Sequence, residues 1–191
     1  YSLAKRIGFD KIIFNGPIKK TVSLKKALAD KAIINIDSRY ELDTVLEYKA
    51  EHPNDVVGVG LRLNVNLMDK EGISKVQCGL RVGRFGFSEK MLEEIIPMLR
   101  DKDIKIISLH GHTSSSDRAV ANYRLITEQM LQICEKFALN DLQYFDVGGG
   151  FFGAAAKGID ISNKPNYVDY ANCILDLCLN NKCFMQIEPT I

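Results

Sequence analysis

The sequence lacks an excess of charge of either sign, since 25 Lys and Arg residues stand against 24 Asp and Glu residues, a formal net charge of +1. No overall electrostatic attraction draws such a chain to nucleic acid or to an anionic membrane, and we expect neither as a partner. No apolar run approaches the roughly 20 residues of a membrane helix, and the opening YSLAKRIGFD lacks the apolar centre of a secretion signal. We therefore expect a cytoplasmic protein that recognises its partner at a local site.

The sequence also lacks a CxxC pair with the spacing of a zinc site or of a thioredoxin-like motif, because its cysteines are scattered and odd in number. The five cysteines are Cys78, Cys134, Cys173, Cys178 and Cys183. The last three are five residues apart, which is a poor arrangement for shared ligation on one helix face. We predict buried free thiols in a reducing compartment, and no metal site.

Hydrophobic residues make up 46% of the 191 residues and charged residues 26%, which argues against disorder, collagen and coiled coil. Short apolar runs alternate with longer segments of helical periodicity, as in an α/β protein with a parallel sheet. The predicted strands are Lys11–Asn15, Ala32–Asp37, Val56–Asn64, Ile104–His110, Gln143–Val147 and Met185–Ile187. The predicted helices are Leu24–Asp30, Arg39–Glu51, Glu89–Lys102, Asp117–Phe137 and Tyr167–Asn180.

Several helix starts carry capping residues. Ser38 lies three residues before Glu41, which predicts a capping box, and Ser88 opens a first turn that contains acidic residues. Pro97 falls inside the third predicted helix, and we expect it to kink or split that helix.

Polar residues follow almost every predicted strand, namely Asn15, Asp37, Asn64, His110, His112, Asp146 and Glu188. This pattern favours a (β/α)8 barrel of the TIM type, in which the active site lies at the carboxyl ends of the strands. An open doubly wound sheet is the alternative, but its G-x-G-x-x-G fingerprint follows none of the strands. Six strands cannot close an eight-stranded barrel, so we interpret residues 1–191 as part of a longer protein.

Three consecutive glycines, Gly148, Gly149 and Gly150, follow a predicted strand that ends near Asp146. Without Cβ atoms, their backbone amides can approach an anion closely and turn toward it together. A phosphate group is the natural ligand of such a loop. The alternative interpretation is a flexible turn between a strand and a helix.

His110 and His112 end another strand, and alternation places their rings on the same side of the sheet. Two histidines could hold a metal ion, but no third histidine or suitably spaced carboxylate accompanies them. The hydroxyl-rich segment that follows suits a phosphate or polar cofactor better, and a histidine ring can stack on a planar cofactor. Either histidine could instead be a core residue that is hydrogen-bonded to the backbone.

Glu188 follows the last predicted strand and brings a carboxylate to the same edge of the sheet. A carboxylate beside a pyridine nitrogen favours the protonated pyridine, which is the better electron sink. Glu188 could equally be a structural acid that pairs with a basic residue such as Arg62.

These segments occur together, in the same order, in one family. The chain resembles the barrel domain of fold-type III pyridoxal-phosphate (PLP) amino-acid decarboxylases, the group that contains ornithine, diaminopimelate and biosynthetic arginine decarboxylases. The segments that carry the resemblance are IIFNGPIKK (Ile12–Lys20), INIDSRYEL (Ile34–Leu42), LRLNVN (Leu61–Asn66), RFGF (Arg84–Phe87), LHGHTSS (Leu109–Ser115), DVGGGF (Asp146–Phe151) and IEP (Ile187–Pro189). The fold that the resemblance implies is an alanine-racemase-like barrel, of which about six β/α units are present.

The resemblance also implies roles for particular residues, with PLP as the cofactor. His112 resembles the histidine that stacks on the cofactor ring, and Glu188 the acid that pairs with the pyridine nitrogen. Residues similar to those that hold the phosphate or line the barrel mouth are Ser115, Gly148, Gly149, Gly150 and Arg62. Asp146 is interpreted as structural.

The chain departs from the family pattern at three places. Ser114 replaces a glycine of the His-x-Gly-Ser motif, and Thr190-Ile191 replaces the Gly-Arg that includes a phosphate-binding arginine. The lysine to which the family attaches its cofactor belongs to a first barrel strand upstream of Tyr1, and the C-terminal β-domain is absent as well. Lys19 and Lys20 are expected on the surface and do not replace that lysine, so the chain alone should be inactive.

For the intact protein, the resemblance implies a carboxy-lyase that decarboxylates an amino acid such as ornithine, diaminopimelate or arginine, in polyamine or lysine biosynthesis. The family builds its site between two subunits, which implies a homodimer. One alternative is a noncatalytic barrel that acts as a binding or regulatory protein, and the replacement of Gly-Arg is its best support. Another alternative is a PLP-dependent racemase.

Overall fold

The computed structural model describes residues 1–68, 71–74, 83–112, 115, 117–153, 158, 160 and 162–180, with the side chains of all but residues 179 and 180. Several residues considered above lie outside this part of the chain. They are the predicted strand Met185–Ile187, the site candidate Glu188, and Cys78, Cys183, Ser114, Thr190 and Ile191.

Helices and strands alternate through the described part of the chain. In chain order they are α1 Ser2–Arg6, β1 Ile13–Phe14, α2 Thr21–Ala29, β2 Ile33–Ile36, α3 Arg39–Glu51, β3 Val57–Leu63, α4 Glu89–Asp101, β4 Ile104–Gly111, α5 Val120–Lys136, β5 Tyr144–Asp146 and α6 Tyr167–Asn180. Helices α3 and α6 have the predicted bounds, and the ends of the other predicted helices differ by at most three residues.

The five strands form one parallel sheet in the order β1-β2-β3-β4-β5. An open doubly wound sheet reverses its strand order at a switch point, whereas a barrel adds each strand beside the preceding one. The observed order therefore decides between the two predicted architectures. The described strands form a curled, incomplete barrel of the TIM type.

The core lies between this sheet and the helices around it. All four residues of β2 are buried, as are six of the seven residues of β3, so both strands are covered on both faces. Ile34, Leu61, Leu109 and Phe145 contribute fully buried side chains from four successive strands. Burying an apolar side chain of this size contributes about 1.5–3 kcal/mol.

Both predicted serine caps are present. The Ser38 hydroxyl accepts a hydrogen bond from the Glu41 amide, and the Ser88 hydroxyl accepts one from the Met91 amide, both at 3.4 Å. Pro97 does not split its helix, because α4 is continuous through this residue, and the expected kink stays a prediction. Pro97 lies on the exposed face, where water can solvate the carbonyl that lacks a partner, while Leu92, Ile96 and Leu99 hold the opposite face in the core.

The prediction that Lys19 lies on the surface is wrong, because this residue is only 3% exposed. Its ammonium group donates to the carbonyls of Gly16 and Asn35 and forms an ion pair with Glu41 at 3.0 Å. Burial lowers the pKa of Lys19, and the Glu41 carboxylate offsets part of this effect. Lys20, in contrast, is exposed as expected.

The Glu41 side chain binds two backbone amides instead of closing the capping box on Ser38. Its carboxylate accepts hydrogen bonds from the amides of Lys19 and Asp37, both at 2.8 Å, and it is fully buried. The loop after β1 is therefore fixed to the start of α3 by the buried Glu41 carboxylate, which binds two amides and the Lys19 ammonium group.

Of the cysteines that the structure describes, Cys134 and Cys178 are buried and Cys173 is half-buried, and none of the three forms a disulfide. No helix within the described ranges has the length and apolar character needed to span a membrane.

We predict that Glu41→Gln lowers the free energy of unfolding by about 3–5 kcal/mol, because it leaves the Lys19 charge buried without its counter-ion. Urea unfolding of the purified protein measures this loss. The matched control is Glu47→Gln, which removes an exposed partner of Lys25 and should change stability little. Equal effects of the two substitutions would contradict the structural role of the buried pair.

Candidate active site

The residues that follow the strands meet at one edge of the sheet, as the parallel topology requires. The amide group of Asn15, after β1, donates to the Asp146 carboxylate at the end of β5 over 2.6 Å. The amide group of Asn35, on β2, donates to the same carboxylate oxygen at 3.0 Å. Side chains from the first, second and last described strands therefore converge at the mouth of the barrel.

Asp146 is the centre of this cluster and is 1% exposed. One of its carboxylate oxygens accepts a hydrogen bond from His110 Nδ1 at 2.9 Å, and the other accepts one from the Gly148 amide at 2.9 Å. Burial alone would raise the pKa of Asp146, but the hydrogen bonds from His110, Asn15 and Gly148 hold that pKa below its ordinary value. Asp146 is therefore ionised and joins several segments through its hydrogen bonds, and its interpretation as a purely structural residue stays a prediction.

His112 lies beside His110, with 6.1 Å between the ring centroids, so the predicted proximity of the two rings is confirmed. Its Nδ1 accepts a hydrogen bond from the Gly149 amide at 3.1 Å. Burial lowers the pKa of His112, and electrostatic interactions with the neighbouring His110 and Arg62 lower it further. The ring is therefore neutral at pH 7, with its proton on Nε2.

The glycine loop is packed directly against this ring. Gly148 has φ +70°, and a Cβ at this position would lie 2.1 Å from His112 Nδ1. Only glycine fits here, since a side chain would meet both a strained backbone and an occupied volume. The loop predicted to bind an anion and the ring predicted to stack on a cofactor are in contact.

The amides of the three glycines have different partners. Those of Gly148 and Gly149 donate to Asp146 and His112, as described above, and so hold the loop in shape. The amide of Gly150, where φ is +93°, has no hydrogen-bond partner among the described residues. Gly150 therefore supplies the amide that can bind an anion.

Arg62 is buried and paired with Asp37, whose carboxylate is 2.5 Å from the guanidinium. A second guanidinium nitrogen donates to the His112 carbonyl at 3.3 Å, and the group lies 4.9 Å from the centroid of the Phe85 ring. Arg62 Nε is buried and has no partner among the residues the structure describes. Arg62 supports the His112 backbone, and its contact with a cofactor stays a prediction.

Ser115 accepts a hydrogen bond from the Arg118 amide at 3.1 Å, and its own hydroxyl hydrogen has no acceptor within the described part of the chain. The Tyr170 hydroxyl donates to the Arg118 carbonyl at 2.7 Å and accepts a hydrogen bond from the Phe152 amide at 3.5 Å. The serine turn and the end of the glycine loop are therefore joined through one tyrosine.

The residues present fit a phosphorylated, planar cofactor. The Gly150 amide and the Ser115 hydroxyl can donate to a phosphate, and the neutral His112 ring can stack on an aromatic ring. Within the described ranges, no group of three or more His, Cys, Asp or Glu side chains is arranged to hold a metal ion.

Sequence reasoning missed two residues of this site. The sequence around Asn35 indicates only a buried strand, yet the Asn35 side chain binds Asp146. Gly60 on the neighbouring strand leaves the space for this side chain. The sequence pattern indicates that Tyr123 is one aromatic residue of an amphipathic helix, yet its hydroxyl donates to the Gly149 carbonyl at 2.9 Å. A polar residue inside an apolar strand was the available signal for Asn35, and no local signal marked Tyr123.

Comparison with known proteins agrees with this site. The family described as "Pyridoxal-dependent decarboxylase, pyridoxal binding domain" matches residues 2–189. The "Probable diaminopimelate decarboxylase, chloroplastic" of Oryza sativa subsp. japonica is 27% identical over 197 residues, which cover 98% of this chain and 39% of that protein.

Solved structures show the same fold. A mutant of diaminopimelate decarboxylase from Helicobacter pylori, complexed with L-lysine, has a TM-score of 0.78 and 25% identity over 98% of this chain and 48% of the other. The arginine decarboxylase of Paramecium bursaria Chlorella virus has a TM-score of 0.68 and 22% identity, over 98% of this chain and 48% of the other. This chain spans less than half the length of these proteins.

The fold and site thus define the mouth of a parallel barrel, where a glycine loop packs against a buried histidine ring. The chain belongs to the family of pyridoxal-dependent decarboxylases, within their pyridoxal binding domain. This membership confirms the predicted family and cofactor, PLP. The individual roles of His112, Ser115, Arg62 and the glycine loop stay predictions, as does that of Glu188, which lies outside the described residues.

We predict that His112 titrates below its ordinary pKa of 6.5 and carries its neutral-form proton on Nε2. Because the folded pKa is lower than the unfolded one, the unfolded chain binds the proton first, and stability falls as pH decreases from 6.5 to the folded pKa. Long-range 1H–15N spectra of the imidazole, assigned with His112→Gln, measure both properties. A proton on Nδ1 would contradict the hydrogen bond from Gly149. A pKa above 6.5 would contradict the effect of burial.

We also predict that Gly148→Ala abolishes cofactor binding and lowers the free energy of unfolding by at least about 1–2 kcal/mol, the cost of a left-handed backbone for a residue with a Cβ. The remainder of the effect comes from the clash with His112. Gly72→Ala is the matched control, because Gly72 has φ +76° and nothing within 4 Å of its Cβ position. Cofactor absorbance and urea unfolding are compared, and equal loss of cofactor in both variants would refute the contact.

Proposed function

We propose that the protein containing this chain is a PLP-dependent amino-acid decarboxylase, a carboxy-lyase. The observation that carries the proposal is the contact between the His112 ring and the glycine loop, at the carboxyl ends of the parallel strands. The family match supports it, because residues 2–189 include both parts of this site.

The chain's own residues would bind and orient the cofactor. The Gly150 amide and the Ser115 hydroxyl would donate to the phosphate, while His112 would lie against the ring. Because His112 is neutral, it would add no positive charge beside the cofactor ring. The nitrogen of that ring would carry the proton that makes the ring an electron sink, and the Glu188 carboxylate would hold this proton. When bound, PLP supplies the electron sink that accepts the electron pair left by departing carbon dioxide.

The network behind His112 would keep this geometry rigid. Asp146 fixes the first glycine amide, and Arg62 holds the His112 carbonyl. A cofactor ring that stacks on His112 while its phosphate binds at Gly150 would therefore be constrained at both ends. Such constraint supports catalysis because the bond that breaks must be aligned with the ring's electron system.

We further propose that the substrate is an amino acid with a second charged end, with diaminopimelate as the first candidate. The supporting observations are the names of the relatives, which include diaminopimelate and arginine decarboxylases. A homodimer and a place in lysine biosynthesis follow from the resemblance, and a cytoplasmic location from the pattern of cysteines. All three are part of the proposal.

Reduction of the PLP-loaded protein with borohydride, followed by peptide mass spectrometry, tests the proposal. We expect a pyridoxyl adduct on a lysine upstream of Tyr1, and none on Lys19, because Lys19 is buried and has three hydrogen-bond partners. A sample treated without borohydride is the control. Carbon dioxide release is then compared for diaminopimelate, arginine and ornithine.

The absence of both adduct and cofactor absorbance would overturn the decarboxylase proposal and favour the noncatalytic barrel, which the replacement of Gly-Arg by Thr190-Ile191 supports. An adduct with exchange of the α-proton, but no carbon dioxide release from any of the three amino acids, would favour a racemase.

A further inference from the structure

Tyr123 connects helix α5 to the glycine loop. Its side chain is 5% exposed, and its ring stacks on Phe151 at 4.6 Å between centroids. A second tyrosine, Tyr170, packs edge-on against it at 5.0 Å. The hydroxyl at the end of this fixed ring donates to the Gly149 carbonyl over 2.9 Å. The aromatic cluster therefore places one hydrogen-bond donor on one carbonyl of the loop.

The carbonyl of Gly149 and the amide of Gly150 belong to the same peptide group. This group is planar and trans, so its C=O and N–H bonds point in opposite directions. A hydroxyl that holds the carbonyl toward α5 therefore directs the Gly150 N–H away from α5. Tyr123 thus determines the direction of the Gly150 amide, for which the described residues provide no acceptor.

Flanking hydrogen bonds make this orientation specific. The preceding peptide is held because the Gly149 amide donates to His112. Glycine has little conformational preference of its own, so the peptide between Gly149 and Gly150 could rotate if no partner held its carbonyl. A hydrogen bond on the carbonyl also polarises the peptide group and makes its N–H a stronger donor.

The Tyr123 hydroxyl stays protonated and can therefore donate its hydrogen bond at neutral pH. Burial raises the pKa of Tyr123 to about 12, so the phenol keeps its proton at neutral pH. The ring packing against Phe151 and Tyr170 does not involve this proton. Removing the hydroxyl alone should therefore leave the cluster in place and release only the peptide group.

We propose that Tyr123 is a positioning residue that aims the Gly150 amide at the phosphate of the cofactor. The inference rests on the proposed function, because it assumes that the glycine loop binds the phosphate of PLP. It adds to that function a residue on a different element, outside the strand ends where the other candidates lie.

The test compares the affinities of the full-length protein, freed of bound PLP, for PLP and for pyridoxal, which lacks the phosphate. Tyr123→Phe should weaken PLP binding about tenfold, as expected for one hydrogen bond to a charged group, and leave pyridoxal binding unchanged. The matched control is Tyr48→Phe, which removes a hydroxyl bonded to Asp55 near the far end of α3 and should change neither affinity.

Different results separate this inference from the proposed function. If the wild-type protein binds PLP no better than pyridoxal, the phosphate site itself is wrong. If the wild type prefers PLP and Tyr123→Phe keeps the full preference, only the role of Tyr123 is wrong. Equal weakening of both ligands would show a general structural effect and would also overturn the inference.

A second measurement needs no substitution. In 15N-labelled wild-type protein, PLP should shift the Gly150 amide proton downfield more than the Gly148 amide proton, which is already bonded to Asp146. Pyridoxal should leave the Gly150 signal near its free position. A larger shift at Gly148 than at Gly150 would contradict the assignment even if Tyr123→Phe fails to fold.

Discussion

The ionised carboxylate of Asp146 is the interaction on which the candidate site depends. A buried charge costs several kcal/mol unless hydrogen bonds compensate it. The partners of Asp146 are therefore held in place, because moving any of them away would leave the charge less compensated. Those partners are Asn15, Asn35, His110 and the Gly148 amide, which come from four different segments. The same group therefore joins the strands at the barrel mouth and fixes the point where the glycine loop begins.

Each of the three glycines after Asp146 makes a different contact. Gly148 allows the loop to touch His112, because a Cβ there would overlap the ring. Gly149 is held on both sides, by His112 through its amide and by Tyr123 through its carbonyl. The Gly150 amide, at the end of this arrangement, has no hydrogen-bond partner in the part of the chain that the structure describes. Hydrogen bonds within the protein thus hold the His112 ring and the Gly149–Gly150 peptide group in a fixed arrangement, as the proposed roles in stacking and anion binding require.

A second set of buried charges lies beside this cluster. Lys19 pairs with Glu41, and Asp37 pairs with Arg62, which in turn holds the His112 carbonyl. Sequence reasoning expected Lys19 on the surface, because a lysine after a turn is usually solvated. Its burial depends on Glu41, which lies 22 residues away and was interpreted only as part of a helix cap.

The sequence by itself determined the β/α alternation, the bounds of α3 and α6, the family, and the proximity of His112 to the end of a strand. These follow from periodicity and motifs, which are local properties of the chain. Only the tertiary structure decided the strand order, the burial of Lys19 and the partners of Asp146, which are 36, 111 and 131 residues distant for His110, Asn35 and Asn15. The same holds for Tyr123 and Gly149, because a hydrogen bond between distant segments requires folding to bring them together.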